Sequence, residues 1–326
     1  MDLTLQADEI QLADMAGDVL SRETPLERWF AGGLDAAAEE DRLGALAAEL
    51  GWIGFGAPEA IGGSAAAAPE EVVLFREVGR FLGPVSLVAG AVAARLVAET
   101  APPLAAAIVA GEQAVALAIP RADGRAWRLG AARGSLCLLG DGEGLSLFEH
   151  TAGAAEPFLD PTVSAQLVPA AGKVLAASAD PAAIGRYRLL VAAQALGIAE
   201  AALAASVAYA KLREQFGRPI GSFQAIRHRC VDMAVRCERA RAQLFFAAVS
   251  LRDTAPDATF QALAAARACE DAASRGARDN IFIHGATGVT AENTAHLFLK
   301  RSLLWREVLR PAVLLEEIAA GTGPAP

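Results

Sequence analysis

The stretch REQFGRPIGSFQAIRHRCVDMAV, residues 213–235, breaks the longest helical pattern in the chain. Residues 183–216 contain no proline, which predicts one continuous helix that ends at Gly217, with Pro219 just beyond the end. Ser222 is of a residue type that caps helix N-termini, so a second helix is expected to begin there. The stretch therefore predicts two long helices that meet at a short break.

The second predicted helix carries apolar residues three or four positions apart, as a helix with one buried face does. These residues are Ile226, Cys230, Met233, Cys237, Leu244, Ala248 and Leu251. The helix is expected to end near residues 254–256. Further helices are predicted over residues 257–280 and 293–309, with the turn HGATG (284–288) between them. Four long helices with short connections predict a four-helix bundle.

The rest of the chain divides into a helical part and a part rich in short strands. Residues 3–112 have a helical pattern, with breaks at 32–33, 56–63 and 83–84. Apolar runs at 114–120, 135–140, 145–149 and 164–170 are separated by turn sequences and predict β-strands. We predict a mostly α fold with a small β domain: an N-terminal helical domain (1–112), a β domain (113–178) and a C-terminal four-helix bundle (179–326).

The 326-residue chain has a net charge of −9, with acidic and basic residues interspersed and no basic stripe. This distribution argues against nucleic acid and anionic lipid as partners, and it favours a small molecule or another protein. The N-terminal residues include acids where a secretory signal carries lysines, and no apolar stretch is expected to reach the roughly 20 residues of a membrane span. The expected location is the cytoplasm.

Cysteine and histidine show no metal-binding spacing. The four cysteines contain no CxxC pair, and Cys230 and Cys237 lie on the apolar face of a predicted helix, so they are expected to be reduced core residues. The four histidines are scattered along the chain, at positions 150, 228, 284 and 296. No metal site is expected.

The side chains around the break suit a flat, anionic ligand. Arg213 can grip a diphosphate with its planar guanidinium, and Phe216 can cover a flat ring. Phe223 and Gln224 can supply an apolar wall and an amide, and the glycines of HGATG let backbone approach a ligand closely. Plainer interpretations stay open: Arg213 is also a favourable cation at a helix C-terminus, and HGATG is also an ordinary interhelix turn.

These motifs resemble those of the acyl-CoA dehydrogenase family, flavoproteins built from a helical domain, a β domain and a C-terminal four-helix bundle. The similar residues in the bundle are Tyr209, REQFG (213–217), Ile220, FQAI (223–226), Asp232, Met233, HGATGVT (284–290) and HLFLKR (296–301). Near the start, ELGWIG (49–54), PE (58–59) and GG (62–63) are similar to the family's N-terminal signature. The resemblance covers nearly the whole chain.

The resemblance implies an FAD that is shared between subunits of a dimer or tetramer. In the family, the flavin ring lies against the β domain of one subunit, and the ADP part reaches the bundle of its neighbour. Arg213 would then hold the diphosphate. The other implied cofactor-binding residues are Gln215, Phe216, Phe223, Gln224, Phe282, Gly285 and Ala286. Phe282 and Ala286 stand where the family usually has glutamine and glycine.

The β domain departs further from the family pattern. The family's flavin-facing strand usually carries Thr-Glu-Pro followed by Gly-Ser-Asp, and a later strand carries a tryptophan beside the ring. Here residues 114–120 run into RADG (121–124), and Trp127 stands in a different context. This chain is therefore not expected to hold its own flavin ring.

The family's catalytic base is a glutamate, which removes the α-proton of the acyl-CoA while the β-hydrogen leaves as hydride to the flavin. Its two common positions correspond here to about Leu309 and about Tyr187, and neither is acidic. Glu307 is two residues from the first position, but a helix turns it about 200° away. No catalytic residue is predicted, apart from Glu307 as a displaced candidate base.

Together these features are similar to the short subunit of heteromeric (α2β2) bacterial acyl-CoA dehydrogenases, some of which act in steroid side-chain degradation. The resemblance implies an oxidoreductase that dehydrogenates an acyl-CoA substrate only as a complex with a partner subunit. Two alternatives stay open. One is a self-sufficient homo-oligomeric dehydrogenase with a divergent site, and the other is a flavin-free structural scaffold subunit.

Overall fold

The computed structural model describes residues 5–30, 34–141, 144–150, 153–170 and 172–320. The N-terminal part forms five helices: α1 (Ala7–Glu23), α2 (Ala36–Glu49), α3 (Ala68–Arg80), α4 (Ser86–Leu96) and α5 (Pro102–Val109). The breaks predicted at 56–63 and 83–84 are confirmed, and the one at 32–33 lies outside the described residues. α3 begins with Pro69 and two glutamates in its first turn, where acids favour the positive end of the helix dipole.

Six strands form one sheet in the middle of the chain: β1 (Val115–Pro120), β2 (Arg125–Leu129), β3 (Leu136–Gly140), β4 (Leu145–Glu149), β5 (Ala165–Pro169) and β6 (Lys173–Ser178). The spatial order is β5-β2-β1-β3-β4-β6; β1 and β3 pair in parallel, and the other pairs are antiparallel. The four predicted strands are confirmed. β2 and β6 were not predicted, because β2 contains two arginines and β6 is a partly exposed edge strand.

Four long helices follow the sheet: α6 (Pro181–Leu212), α7 (Gln224–Arg252), α8 (Ala258–His284) and α9 (Ala295–Leu309). They confirm the predicted bundle and the mostly α fold with a small sheet. A short helix that was not predicted, α10 (Pro311–Ala319), follows α9. The domain boundaries at 112/113 and 178/179 fall in connections between elements and stay predictions.

α6 runs through the bundle's centre, and its middle lies against α3 at backbone contact distance. A Cβ atom added at Gly197 would be 2.1 Å from the Arg76 carbonyl oxygen, and one added at Gly79 would be 2.1 Å from the Gln194 carbonyl oxygen. Contrary to the sequence prediction, α6 is long and apolar enough to cross a membrane. However, 67% of its most apolar window is buried inside the fold. The core helix of a bundle passes the same test, so this is weak evidence for a membrane span.

Two predictions about the helix break are wrong. The first helix ends at Leu212 and not at residue 216, because residues 214–219 form a small hairpin in place of a last helical turn. Ser222 does not cap the second helix, which begins at Gln224 after Phe223. The Ser222 hydroxyl is buried without a hydrogen-bond partner among the described residues.

The prediction for the cysteines is confirmed. All four are free; Cys137, Cys237 and Cys269 are buried, and Cys230 is half-buried. Burial raises the pKa of the Cys237 thiol to about 12, so this thiol stays protonated and unreactive at neutral pH. These residues pack the core.

One buried ion pair connects the sheet domain to the bundle. Arg301 of α9 donates from Nε to an Asp160 carboxylate oxygen at 2.6 Å, and the two side chains are 1% and 0% exposed. Arg301 also donates to the Thr162 hydroxyl and to the Gly83 carbonyl, both at 2.8 Å. The guanidinium therefore joins three separate parts of the chain at one point.

Candidate functional site

The break between α6 and α7 contains a short β-hairpin with a two-residue turn and an aromatic residue at its tip. Residues 214–215 pair with 218–219, and the two turn residues, Phe216 and Gly217, have φ of 54° and 74°. Positive φ at both central positions is the requirement of a type I′ turn. A bulky residue such as Phe216 adopts it at a cost of roughly 1–2 kcal/mol. The Phe216 backbone is therefore strained, and its side chain is 92% exposed.

The residues next to the tip form an aromatic and cationic group. The Phe223 ring meets the Phe216 ring edge-on, with 6.1 Å between centroids. The Arg218 guanidinium lies 4.3 Å from the Phe223 centroid on the ring face. Gln215 and Gln224 are also exposed. Sequence reasoning missed Arg218, since nothing in its spacing distinguishes it from a surface arginine.

Arg213, predicted on the last helical turn, follows that turn in extended backbone, with φ −73° and ψ 124°. Its backbone N–H donates to the Tyr209 carbonyl and its carbonyl accepts from Ile220, so its backbone is fixed. Its side chain is exposed and forms no ion pair with any residue that the structure describes. The fork of this guanidinium is therefore available to an anion.

The second half of the predicted site lies at the same end of the bundle. The Tyr209 ring on α6 stacks on the His284 ring at the end of α8, with 4.2 Å between centroids. Next to them Phe282 is 58% exposed, and the Arg229 guanidinium covers one ring face at 3.9 Å. An Asp279 carboxylate holds Arg229 in turn. The structure thus brings together the two groups of predicted residues, which are far apart in sequence.

The glycine-rich turn has a different form from the one expected. Residues 282–284 still belong to α8, and the turn is a short 3₁₀ helix over Gly285–Val289. The Gly285 N–H already donates to the carbonyls that end α8. Gly285 has φ of 63°, and a Cβ added there would meet no atom within 4 Å. Gly285 therefore offers a ligand its bare Cα, while its amide is occupied.

The two positions at which the resemblance predicted the family's catalytic base, about Tyr187 and about Leu309, face one narrow cleft. Tyr187 of α6 and Leu309 at the end of α9 both line it, with Gly140 and Asp141 from the end of β3. The cleft has only about 20 Å³ of room. That is enough for about one water molecule and not for a thioester. Glu307 is exposed on α9 and does not line this cleft.

Helix α10 and the residue before it close this cleft. Arg310 takes a left-handed conformation, with φ of 48°, and its guanidinium donates to the Asp141 carbonyl at 3.2 Å. Glu317 of α10 forms a 2.8 Å ion pair with Arg188, whose side chain is 7% exposed. The Tyr187 ring fills the space beside Gly140, where an added Cβ would lie 2.4 Å from a ring carbon. Side chains thus occupy the space around the two base positions.

The sheet holds Trp127 in packing contacts of its own. The Trp127 ring meets the Phe158 ring at 5.3 Å between centroids, and the Arg121 guanidinium lies 5.5 Å from its centroid. Arg128 on the same strand is 1% exposed and donates to the Gln166 side chain at 2.7 Å. These side chains pack the interior and edge of the sheet.

Replacing Tyr187 by phenylalanine is expected to raise the free energy of unfolding by about 1 kcal/mol. The Tyr187 hydroxyl is buried without a hydrogen-bond partner among the described residues, and burial raises its pKa, so it stays a protonated, unpaired donor. Urea denaturation measures the change. Tyr209→Phe is the matched control, because the Tyr209 hydroxyl makes one long, exposed contact, at 3.5 Å, with the Thr287 hydroxyl. Its loss is expected to change the free energy of unfolding by less than about 0.5 kcal/mol. A less stable Tyr187→Phe variant would contradict the interpretation.

Models of one protein family match both helical parts of the chain. A family model described as "Acyl-CoA dehydrogenase, N-terminal domain" matches residues 6–107, and one described as "Acyl-CoA dehydrogenase, C-terminal domain" matches residues 180–309. The acyl-CoA dehydrogenase FadE34 of Mycobacterium tuberculosis is 35% identical over 277 residues, which are 78% of this chain and 38% of FadE34. The chain spans less than two thirds of the length of the curated relatives that it matches.

Solved structures share the whole fold. A Tcur3481-Tcur3483 steroid ACAD variant is 25% identical with a TM-score of 0.76, and the match covers 98% of this chain and 100% of that one. A chain of the ChsE4-ChsE5 complex from Mycobacterium tuberculosis is 21% identical with a TM-score of 0.80, and the match covers 100% of this chain and 100% of that one. The family models match the helices on both sides of the sheet, and these structures align over the sheet as well. The chain therefore belongs to the acyl-CoA dehydrogenase family.

Proposed function

We propose that this chain is a subunit of a flavin-dependent acyl-CoA dehydrogenase and contributes the ADP-binding half of a shared FAD site. A partner chain of the same family supplies the contacts to the flavin ring and the catalytic base. The assembly is an α2β2 heterotetramer in the cytoplasm. Its reaction is the α,β-dehydrogenation of an acyl-CoA thioester, with a steroid side-chain CoA ester as the substrate class.

The closed cleft beside Tyr187 and Leu309 carries this proposal. A dehydrogenase needs a carboxylate base next to room for a thioester, and this cleft has neither a base at these positions nor more than about 20 Å³. Helix α10 closes it through the Arg188–Glu317 ion pair. Proton removal from the substrate is therefore assigned to a partner chain.

The other end of the bundle fits the ADP part of FAD. Arg213 has a fixed backbone and a free guanidinium, which suits bidentate contact with a diphosphate. Phe216 holds an exposed ring in a strained conformation, and strain of this kind is typical of functional sites. When bound, the flavin supplies the acceptor for the substrate hydride. The residues of this chain bind and orient the nucleotide end.

The named relatives favour a hetero-oligomer. The ChsE4-ChsE5 complex joins two different chains by name, and the Tcur3481-Tcur3483 protein is a steroid ACAD. Both match this chain over almost its full length. The proposal takes the partner and the substrate class from this likeness.

The test is to express the chain alone and together with a full-length member of the family. The lone chain is expected to be colourless after purification, since it has only half of the flavin site. The co-expressed complex is expected to be yellow and to dehydrogenate an acyl-CoA with an artificial electron acceptor. A stoichiometric flavin spectrum from the lone chain would overturn the shared site.

The alternative of a self-sufficient enzyme depends on Glu307 as a displaced base. Glu307 is exposed and lies outside the cleft, so nothing in the structure favours this role. Acyl-CoA dehydrogenation by the purified lone chain would support the alternative. If that activity persisted after Glu307→Gln, this residue would be excluded as the base.

A further inference from the structure

A second cavity, of about 500 Å³, lies between α2, α4, the end of α5 and the starts of β1 and β3. It shares no lining residue with the closed cleft beside Tyr187. Its wall combines polar side chains with an apolar part formed by Ala45, Ala47, Ile53, Leu87, Ile108 and Val115. The volume falls in the range of roughly 300–1,000 Å³ that small-molecule sites have.

The cavity wall contains a buried carboxyl group without a counter-ion. Glu40 is 3% exposed, and one of its oxygens accepts from the Ser86 N–H at 3.1 Å and from the Ser86 hydroxyl at 2.7 Å. No lysine, arginine or histidine among the described residues forms an ion pair with it. Arg301 and Asp160, whose charges act on the Glu40 pKa in opposite directions, are paired with each other. Burial raises the pKa of Glu40, because desolvation of the carboxylate outweighs these contacts.

The lining as a whole has more acidic than basic side chains. Asp41 and Arg133 form a 3.1 Å ion pair at the opening, where the Arg133 side chain is 87% exposed. Arg133 is the one cation among the described lining residues, so Glu40 and the exposed Glu112 have no positive partner there. A ligand cation would favour the ionised form of Glu40 and act as its counter-ion, whereas the acidic side chains of the lining would repel an anion.

We infer that this cavity binds a compact apolar molecule that carries an ammonium group. The ammonium lies next to Glu40, and the apolar body lies against the wall formed by α2 and α4. This site shares no residue with the proposed FAD site, which lies at the C-terminal ends of α6 and α8.

Gly44 offers a way to fill the cavity without disturbing the fold. It lies inside α2 and lines the cavity, and a Cβ added there would meet no atom within 4 Å. A larger side chain at this position therefore extends into open space. Replacing glycine inside a helix also favours the helix by up to about 1 kcal/mol. Gly44→Leu is thus expected to occupy the site and leave the protein folded.

The test uses three probes with the same rigid body and different head groups: 1-adamantylamine, 1-adamantanol and 1-adamantanecarboxylate. Calorimetry and ligand-observed NMR on the full chain measure their dissociation constants. The amine is expected to bind at least about tenfold more tightly than the alcohol, because a charge-assisted bond to Glu40 is added. The carboxylate is expected not to bind.

Two variants connect this binding to the cavity. Gly44→Leu is expected to abolish binding of amine and alcohol, whereas Gly44→Ala retains it. Glu40→Gln is expected to remove the preference for the amine and to keep alcohol binding. Ala242→Leu adds the same apolar group at an exposed position of α7 and is expected to change nothing. Thermal melting by circular dichroism confirms that each variant is folded.

The inference is overturned if neither amine nor alcohol binds at millimolar concentration. It is equally overturned if Gly44→Leu, folded by its melting curve, binds the amine like the wild type. Retention of the amine preference in Glu40→Gln would remove Glu40 from the site. None of these results bears on flavin content, so they leave the proposed function untouched.

Discussion

Replacing Arg213 by alanine in the assembled complex is expected to weaken FAD binding about 30- to 100-fold, or roughly 2–3 kcal/mol. The Arg213 guanidinium is exposed and forms no ion pair within the described chain, so its removal breaks no structural contact. The loss should therefore appear in the affinity for FAD and not in stability. Titration of the flavin-free complex with FAD, followed by flavin fluorescence, measures it.

Two further variants separate the role of the planar guanidinium from that of charge. Arg213→Lys keeps the charge but loses the bidentate geometry, so an intermediate loss of about tenfold is expected. Arg252→Ala removes an exposed arginine at the opposite end of α7 and is expected to leave the affinity unchanged. If Arg213→Ala also left it unchanged, the chain would be a flavin-free scaffold subunit, and the ADP-binding role would be wrong.

The location of the break could be predicted from the sequence, but its form could not. Gly217 and Pro219 correctly indicated an end to the helix. The structure ends it earlier because Arg213 is already extended and residues 214–219 form a hairpin. The turn of that hairpin requires positive φ at Phe216, which no residue preference predicts for an aromatic side chain. The arrangement of the site is therefore a hairpin with an exposed ring, where the sequence predicted a helix terminus and a capped restart.

The closed cleft shows a second limit of sequence reasoning. The identities of Tyr187 and Leu309 indicated that no base stands at either position. Whether these two positions enclose a cavity depends on tertiary packing, which local sequence patterns do not report. The closure also involves α10 and the left-handed Arg310, neither of which was predicted. The sequence therefore predicted that neither position holds a catalytic base. The structure adds that the cleft between them has no room for a thioester.

The Asp160–Arg301 pair attaches the small sheet domain to the bundle. Asp160 lies in the connection between β4 and β5, Arg301 lies on α9, and both side chains are fully buried. Asp160 also accepts from the Thr162 N–H and hydroxyl, at 3.0 Å and 2.6 Å. A buried cation with all its partners lowers the free energy of unfolding little, but the same cation without its carboxylate lowers it strongly.

Asp160→Ala is accordingly expected to lower the free energy of unfolding by about 4 kcal/mol, the typical cost of removing one partner of a buried pair. Urea denaturation monitored by circular dichroism measures the loss. Asp123→Ala breaks exposed pairs with Arg121 and Arg125 at the turn between β1 and β2 and is expected to cause no measurable change. The double variant Asp160→Ala/Arg301→Met removes the stranded cation and should recover at least half of the loss. A double variant as unstable as the single one would place the cost in the lost Thr162 contacts and not in an uncompensated Arg301 charge.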